Sequence, residues 1–346
     1  MTAIFDSEKN LKILREFFEY VVFGVLDSIL INFTLEKSKL MKEKVFPHFI
    51  NYVERKIPKS KFHKKVEKIL SSLKLEETLR VYILSVFEML ASQLYSELED
   101  TEEKLVPEDL KKITEEYIVI RWFDKQVLEP AYRILTLDSV SYSEALETRG
   151  KILELFKAYT SGNVSFEEAS QALGKILEYY SRKEVVLGVV SLILGAMETV
   201  ENLDIHKIAE YAKREPKTIS PPVSSFLPPS NKKSILFDWF RKDIVNPALK
   251  NLAANGILDE KHEIEKGITE SFSLLIDRVL TFKDFEKRIV SLIKPEIKSE
   301  PARKHVAASL ISMAELVHEE AEEDASLEEF IEFIETRQRE INRIYG

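Results

Sequence analysis

The chain has 346 residues, of which 45% are apolar and 32% charged, and its net charge is −9 at pH 7. This balance predicts a globular protein with a sizeable core and excludes a disordered or fibrous chain. The absence of cysteine excludes disulfides, thiolate nucleophiles and zinc–thiolate sites. Since the sequence shows no signal peptide, we expect a cytoplasmic protein, and the abundance of Lys and Glu is typical of a thermophile.

Helix-forming residues dominate the sequence. Only nine glycines occur, and apolar residues recur at three- and four-residue steps rather than alternating, so the predicted fold class is all-α. The first helices are predicted over residues 7–33, 45–53, 59–73 and 79–98. Pro47 must lie in the first turn of the second helix or break it, because an interior proline loses a hydrogen bond and clashes with the preceding turn.

A long helix is predicted to begin at Pro107, since proline is favoured at the first helical position. It runs through Trp122 to about Leu128, and Pro130 ends or kinks it. Further along, a Ser or Thr followed three residues later by an acid marks a helix start as a capping box. Such pairs begin at Ser165, Thr281 and Ser326.

The most apolar stretch is residues 185–197. A bilayer span needs roughly 20 residues, so this shorter stretch predicts a buried central helix and no membrane segment. Gly188 and Gly195 lie within it, and they predict that a neighbouring helix packs closely.

The stretch 122–135 is repeated. Shifted by 117 residues it aligns with 239–252, with six of fourteen positions identical, and a fainter copy lies 105 residues earlier. The repeat predicts three related multi-helix units of about 105–117 residues. The residues that define the copies are predicted to anchor the unit cores: Phe17, Phe18, Trp122, Phe123, Pro130, Trp239, Phe240 and Pro247.

Prolines mark the main boundary. Five of the twelve lie between Pro216 and Pro229, which predicts a semi-rigid extended linker. We therefore expect a basic helical unit 1 (1–116), a helical unit 2 (117–215), a Pro-rich linker (216–234) and a helical unit 3 with an acidic C terminus (235–346). Units 1 and 2 share the helix beginning at Pro107, so we expect them to pack as one body, with unit 3 joined through the linker.

Two patterns of acids are candidates for chemistry. Glu315 and His318 have the Glu-x-x-His spacing that places two metal ligands on one helix face. With 59 acids and six histidines, about one such match arises by chance, so a solvated helix end is the simpler interpretation and no cofactor is predicted. Glu88, Glu198 and Glu315 fall at equivalent positions of three otherwise apolar helices. They either form polar helix edges or a shared charged site, which a raised pKa would favour.

Charge is unevenly distributed. From Glu36 to Leu75 there are twelve Lys and Arg against four acids, whereas from Glu315 to Glu335 there are ten acids and no Lys or Arg. The candidate binding residues cluster around one helix: Lys56, Lys59, Lys61, Lys64, Lys65 and Lys68. A solvated face, an acidic protein partner such as another copy, and nucleic acid all stay open. A pI near 5.5 is atypical of a dedicated nucleic-acid binder.

No glycine-rich phosphate loop or nucleophile motif marks a catalytic centre. Repeated helical units without a catalytic motif predict a non-catalytic, intracellular protein-interaction or scaffolding protein, with homo-oligomerisation left open. The first alternative is nucleic-acid binding through the basic helix of unit 1. The second is a helical-bundle enzyme or metal protein that uses the repeated glutamates.

Overall fold

The computed structural model describes residues 7–26, 35–97, 107–138, 142–202, 204–214, 232–254, 262–295, 297, 299–320 and 327–336. Within these ranges every regular element is a helix and none is a strand, so the all-α prediction is confirmed. None of the described helices has both the length and the apolarity that a bilayer crossing requires.

The chain divides into an N-terminal body, Met1–Ile118, and a C-terminal body, Val119–Gly346. The division falls inside one helix, Pro107–Phe123. The predicted linker lies outside the described residues up to residue 231, and its last three residues begin a helix at Lys232. The boundaries drawn between units 1, 2 and 3 stay predictions.

The N-terminal body buries aromatic side chains between its helices. In chain order it contains α1 (Glu8–Phe17), a π-helical segment π1 (Phe18–Val22), α2 (Phe23–Leu26), α3 (Leu35–Val53), α4 (Lys59–Ser72), α5 (Glu77–Glu97) and most of α6 (Pro107–Phe123). Ser7 caps α1 by accepting a hydrogen bond from the Asn10 amide at 3.1 Å. The ring of Phe18 lies 5.1 Å from that of Phe46 and 5.0 Å from that of Phe49, so Phe18 packs π1 against α3 in this core.

The prediction for Pro47 was wrong. The helix runs over Leu35–Val53 with the proline in its interior, rather than starting or breaking there. Burial explains the difference, because α3 places Met41, Val45 and Phe49 in the core with no exposed surface. Burying each such side chain is worth about 1.5–3 kcal/mol, which together exceeds the roughly 3 kcal/mol cost of an interior proline.

The C-terminal body contains two successive groups of helices. The first group, after α6, is π2 (Asp124–Leu128), α7 (Glu129–Leu135), α8 (Tyr142–Thr160), α9 (Phe166–Ile176), α10 (Lys183–Asn202) and α11 (Ile205–Arg214). The second group is α12 (Lys232–Trp239), π3 (Phe240–Val245), α13 (Asn246–Ala254), α14 (His262–Ile276), α15 (Phe282–Ile293), α16 (Glu300–Glu320) and α17 (327–336).

A π-helical segment interrupts the first helix of each predicted unit. The residue after each segment donates to the carbonyl five residues back: Phe23 to Phe18, Glu129 to Asp124, and Asn246 to Arg241. Pro130 and Pro247 follow two of these segments after one intervening residue, and the wider turn relieves the clash that would end an ordinary helix. The chain therefore continues beyond Pro130 as α7. Related units would share such a feature, although the repeat itself stays a prediction.

The predicted anchors are buried in the cores of the two bodies. Phe123 stacks on Phe156 with ring centroids 3.7 Å apart, and Phe240 stacks on Phe272 at 3.8 Å. Both stacks place a residue of the repeated stretch against the helix that follows it. The remaining anchors are buried as well: Phe17, Phe18, Trp122, Pro130, Trp239 and Pro247.

Helices α10 and α16 make the most extensive contact among the described elements. α10 contains the apolar stretch 185–197 and is the buried helix that the sequence predicted. A Cβ atom at Gly188 would lie 2.7 Å from Met313 Sδ, so this glycine lets the two helices approach, as predicted. Because α10 belongs to predicted unit 2 and α16 to unit 3, these contacts pair units 2 and 3, whereas we expected units 1 and 2 to pair.

The contact between units 2 and 3 is reciprocal. Arg133 Nε lies 3.1 Å from Asp243 Oδ1, and Lys250 Nζ donates to Gln126 Oε1. In the alignment at 117 residues, position 133 corresponds to 250 and position 126 to 243. Each unit therefore uses the same two positions to contact the other, as the subunits of a two-fold symmetric dimer do.

Candidate functional site

The lysines singled out from the sequence lie on and just before α4. Four of them recur at three- and four-residue steps and share one face of the helix: Lys61, Lys64, Lys65 and Lys68. The other side of α4 buries Phe62, Val66 and Leu70 in the core, so the lysines face outward. Lys59 is the first residue of the helix, and Lys56 precedes it. We call Lys59 and the four outward-facing lysines the basic face.

The basic face is not neutralised by ion pairs within the part of the chain that the structure describes. Lys56, by contrast, lies 2.6 Å from Glu54 Oε2. The positive potential reaches His48, whose pKa is lowered first by burial and then by the Lys65 ammonium. The face can therefore attract an acidic protein segment or a phosphate backbone.

The glutamates at equivalent helix positions have different surroundings. His63 donates from Nδ1 to Glu88 Oε1 on α5 at 2.6 Å, whereas Glu198 Oε1 on α10 lies 3.6 Å from His305 Nε2 on α16. Burial, followed by the Glu201 charge, raises the pKa of Glu198. Burial lowers the pKa of His305. Both shifts favour the neutral forms of the two side chains, so Glu198 and His305 form only a weak ion pair between α10 and α16.

Glu198 and Glu315 do not share one site. Gly188 on α10 lies against Met313 on α16, and Glu198 lies against His305. Since the higher number on one helix meets the lower number on the other, α10 and α16 run antiparallel. Glu315 therefore lies about 15 Å along the helix from the level of Glu198. Its pKa is raised by burial first and by neighbouring acids second.

The candidate metal pair, Glu315 and His318, lies near the end of α16. The His318 ring stacks on Phe282 with centroids 5.5 Å apart. Within the described ranges, no three His, Asp or Glu side chains come together in a way that could hold a metal ion. The structure thus gives His318 an aromatic neighbour and brings no third ligand to this pair among those residues.

A cavity of about 280 Å³ lies between α15 and α16. Its lining combines apolar and basic side chains: Val290, Ile293, Lys294, Glu300, Arg303, Lys304 and Ala307. The volume is below the range of about 300–1,000 Å³ typical of ligand sites. None of the repeated glutamates lines it, so it gives no support to an enzyme that would use them.

Helix α5 presents an uncharged surface to solvent. Its members follow three- and four-residue steps over five turns, and we call them the uncharged stripe: Thr78, Val81, Tyr82, Ser85, Met89, Ser92, Gln93 and Ser96. Three of them are large and apolar, and all three are at least half exposed. Two of the serine hydroxyls donate to their own helix, to the Val81 and Ser92 carbonyls at 2.9 Å, so their burial would leave no hydroxyl unsatisfied.

The positions of Tyr82 and Met89 are buried on α10 and α16, the two helices that align with α5. Aligning Glu88, Glu198 and Glu315 also aligns the core positions, which are buried in all three helices: Ile83, Ile193 and Leu310, then Phe87, Met197 and Ala314. On the outer side the helices differ. Tyr82 is 50% exposed, while its equivalents Leu192 and Ser309 are 1% and 0% exposed. Met89 is 57% exposed, while its equivalents Thr199 and Leu316 are 0% and 2% exposed.

The sequence reasoning missed the uncharged stripe. From the sequence, only a helix over 79–98 and the acid Glu88 on it were identified. The available signal was the absence of charge from eight positions at helical spacing, in a chain with 32% charged residues. Whether such a stripe is buried depends on the neighbours that the fold supplies, and helical spacing alone cannot give these.

Comparison with protein-family models, with curated proteins and with solved structures found no match. Function is therefore inferred from the described residues alone. Two surfaces of the N-terminal body are candidates for binding, the uncharged stripe on α5 and the basic face on α4.

Proposed function

We propose that this chain is a non-catalytic, intracellular protein-interaction or scaffolding protein that binds a protein partner through the uncharged stripe of α5. The observation that carries the proposal is the exposure of Tyr82 and Met89, at positions that are buried on α10 and α16, together with the exposure of Val81 beside them. Covering such side chains is favourable by about 25 cal/mol per Å² of apolar surface. Contiguous exposed apolar surface is typical of interaction sites.

The basic face supports the same proposal. It belongs to α4, which packs directly against α5 in the N-terminal body. Lysines that are not ion-paired attract an acidic partner at long range and fix its orientation, while the apolar contact supplies affinity. We infer that the basic face orients the partner and the uncharged stripe binds it.

Photo-crosslinking in cells tests this proposal. The photoreactive residue benzoylphenylalanine replaces Tyr82 in one variant and Val279 in a control, since Val279 is an exposed apolar residue of the C-terminal body. We expect a protein adduct from position 82 that is absent from position 279. The adduct should disappear when Val81→Glu and Met89→Glu are added. Equal adducts from both positions, or none from position 82, would contradict the proposal.

Nucleic-acid binding is the second candidate, and the basic face favours it. Each phosphate neutralised on B-DNA contributes about −0.9 to the slope of log K against log salt. Changing Lys61, Lys64, Lys65 and Lys68 together to Gln should weaken binding of a labelled duplex and flatten that slope. A matched control changes four exposed lysines of the C-terminal body: Lys266, Lys283, Lys287 and Lys294. Equal effects of the two quadruple changes would eliminate this candidate.

A further inference from the structure

We propose that the partner of the uncharged stripe is a second copy of this chain, with the α5 helices of the two copies packed antiparallel around a two-fold axis. This inference rests on the proposed function, because it names the protein that covers the stripe. It requires that the α5 helices of two chains pack against each other as α10 and α16 pack within one chain.

The first observation is the pairing of α10 with α16. The two residue contacts between these helices join the equivalents of position 78 to those of positions 86 and 88, and the equivalents of Tyr82 and Met89 are buried on both helices. They run antiparallel, as the contacts of Gly188 with Met313 and of Glu198 with His305 require. The reciprocal contacts at positions 126, 133, 243 and 250 give the pair the symmetry of a dimer. Within one chain, therefore, α10 and α16, the two helices that align with α5, already pack against each other.

The second observation is the composition of the stripe. None of its eight residues carries a charge, so apposing two stripes brings no like charges together. Large side chains at Val81, Tyr82 and Met89 alternate with small ones at Thr78 and Ser85. An antiparallel pair can place the large residues of one copy beside the small residues of the other, which is how packed helices interdigitate.

The third observation concerns the glutamate that recurs at the same position of the aligned helices. On α10, Glu198 faces His305 across the helix pair. On α5, the equivalent Glu88 already accepts a hydrogen bond from His63 of the same body. A second α5 can therefore dock without burying an unpaired carboxylate, a cost that opposes association when a charge has no partner.

The packing of α10 against α16 also fixes the position of the two-fold axis between the two α5 helices. Transferred to α5, the contact of Glu198 with His305 joins positions 88 and 78, and the contact of Gly188 with Met313 joins positions 78 and 86. Both place the two-fold axis beside Tyr82. Gln93, on the same stripe, then lies about 16 Å along the helix from the axis and about 32 Å from Gln93 of the second copy. Because one helix pair buries less than the roughly 1,200 Å² of a stable interface, we expect a reversible, micromolar association.

Single cysteines test this arrangement, since the natural chain has none. A disulfide requires Cα atoms about 4.4–6.8 Å apart. In the purified full chain, oxidised with diamide, Tyr82→Cys should form disulfide-linked dimers about tenfold faster than Gln93→Cys, because only position 82 meets itself at the axis. Ser85→Cys, joined by a short bismaleimide, gives the same readout with Tyr82 intact. Adding Val81→Glu and Met89→Glu should abolish both products.

Equal crosslinking at positions 82 and 93 would overturn the antiparallel arrangement, and no crosslinking at 82 or 85 would overturn self-association. The photo-crosslinking experiment separates these failures from failure of the proposed function. An adduct from position 82 that contains a different protein preserves the proposed function and refutes a second copy as the partner. The absence of any adduct refutes both.

Discussion

The buried acid Asp243 gives the sharpest prediction for stability. It lies on π3 with only 4% of its surface exposed, and Arg133 Nε lies 3.1 Å from its Oδ1. The Nε–H of Arg133 makes no aligned hydrogen bond within the described residues, so the ion pair only partly compensates the loss of hydration. Burial is accordingly the largest influence on the carboxyl and raises its pKa above 3.8, against the opposing Arg133 charge.

We predict that Asp243→Asn gains stability over the wild type as the pH rises. Because the folded pKa is raised, the folded state holds this proton to higher pH than the unfolded state. The stability that the group contributes is fully present below pH 3.8 and is lost as the pH rises through the folded pKa. Between the two pKa values, each pH unit should cost the wild type about 1.4 kcal/mol relative to the variant, which has no proton to lose at this position.

Urea unfolding followed by tryptophan fluorescence measures this difference. Both tryptophans, Trp122 and Trp239, belong to the C-terminal body, so the signal reports on the body that contains Asp243. The free energy of unfolding of wild type and variant is compared from about pH 4 to pH 8 at constant salt. As a control, Asp238→Asn removes an exposed carboxylate nearby and should give no comparable trend. A difference in the free energy of unfolding that does not change with pH would refute this prediction. So would a difference that shifts in favour of the wild type as the pH rises.

Three further predictions use the same fluorescence assay at pH 7. Gly188→Leu should destabilise the C-terminal body by about 1–3 kcal/mol, because a side chain there meets Met313; Gly174→Ala, with no atom within 4 Å of the new Cβ, should instead stabilise it by about 0.5–1 kcal/mol. Ser165→Ala should cost about 1 kcal/mol, because it removes the hydroxyl that accepts from the Glu168 amide and donates to the Glu168 carboxylate, and no loss would show that this cap is not formed in solution. Tyr159→Phe should cost about 1 kcal/mol, because it removes a hydrogen bond to a carbonyl of α10 at 3.1 Å; a more stable variant would contradict that bond.

Local signals in the sequence were sufficient to predict the helices. The helix predicted over 59–73 is α4, Lys59–Ser72, and the one predicted over 79–98 is α5, Glu77–Glu97. Of the two predicted helix starts that fall on described residues, Ser165 forms the full capping box with Glu168, and Thr281 caps its helix by accepting from the Asp284 amide. The predicted box at Ser326 lies outside those residues. Such features depend on residues three or four apart, which the sequence displays directly.

Features that depend on distant residues were not predictable in this way. Pro47 predicted either the first turn of a helix or a break, but long-range burial keeps α3 intact on both sides of it. Sharing of the Pro107 helix favoured a pairing of units 1 and 2, but the packing of Gly188 against Met313 joins units 2 and 3. The uncharged stripe became visible only when the exposure of α5 could be compared with the burial of α10 and α16.

If the uncharged stripe of α5 binds a second copy of the chain, the mass of the protein in solution will increase with concentration. By sedimentation equilibrium over a wide concentration range, the wild-type mass should rise from 40.1 kDa toward twice that value. The double variant Val81→Glu/Met89→Glu should stay at the mass of one chain, because it would place four like charges in the interface. Val279→Glu, an exposed control in the C-terminal body, should follow the wild type. A wild type that remains at 40.1 kDa, or a double variant that associates as the wild type does, would contradict the claim.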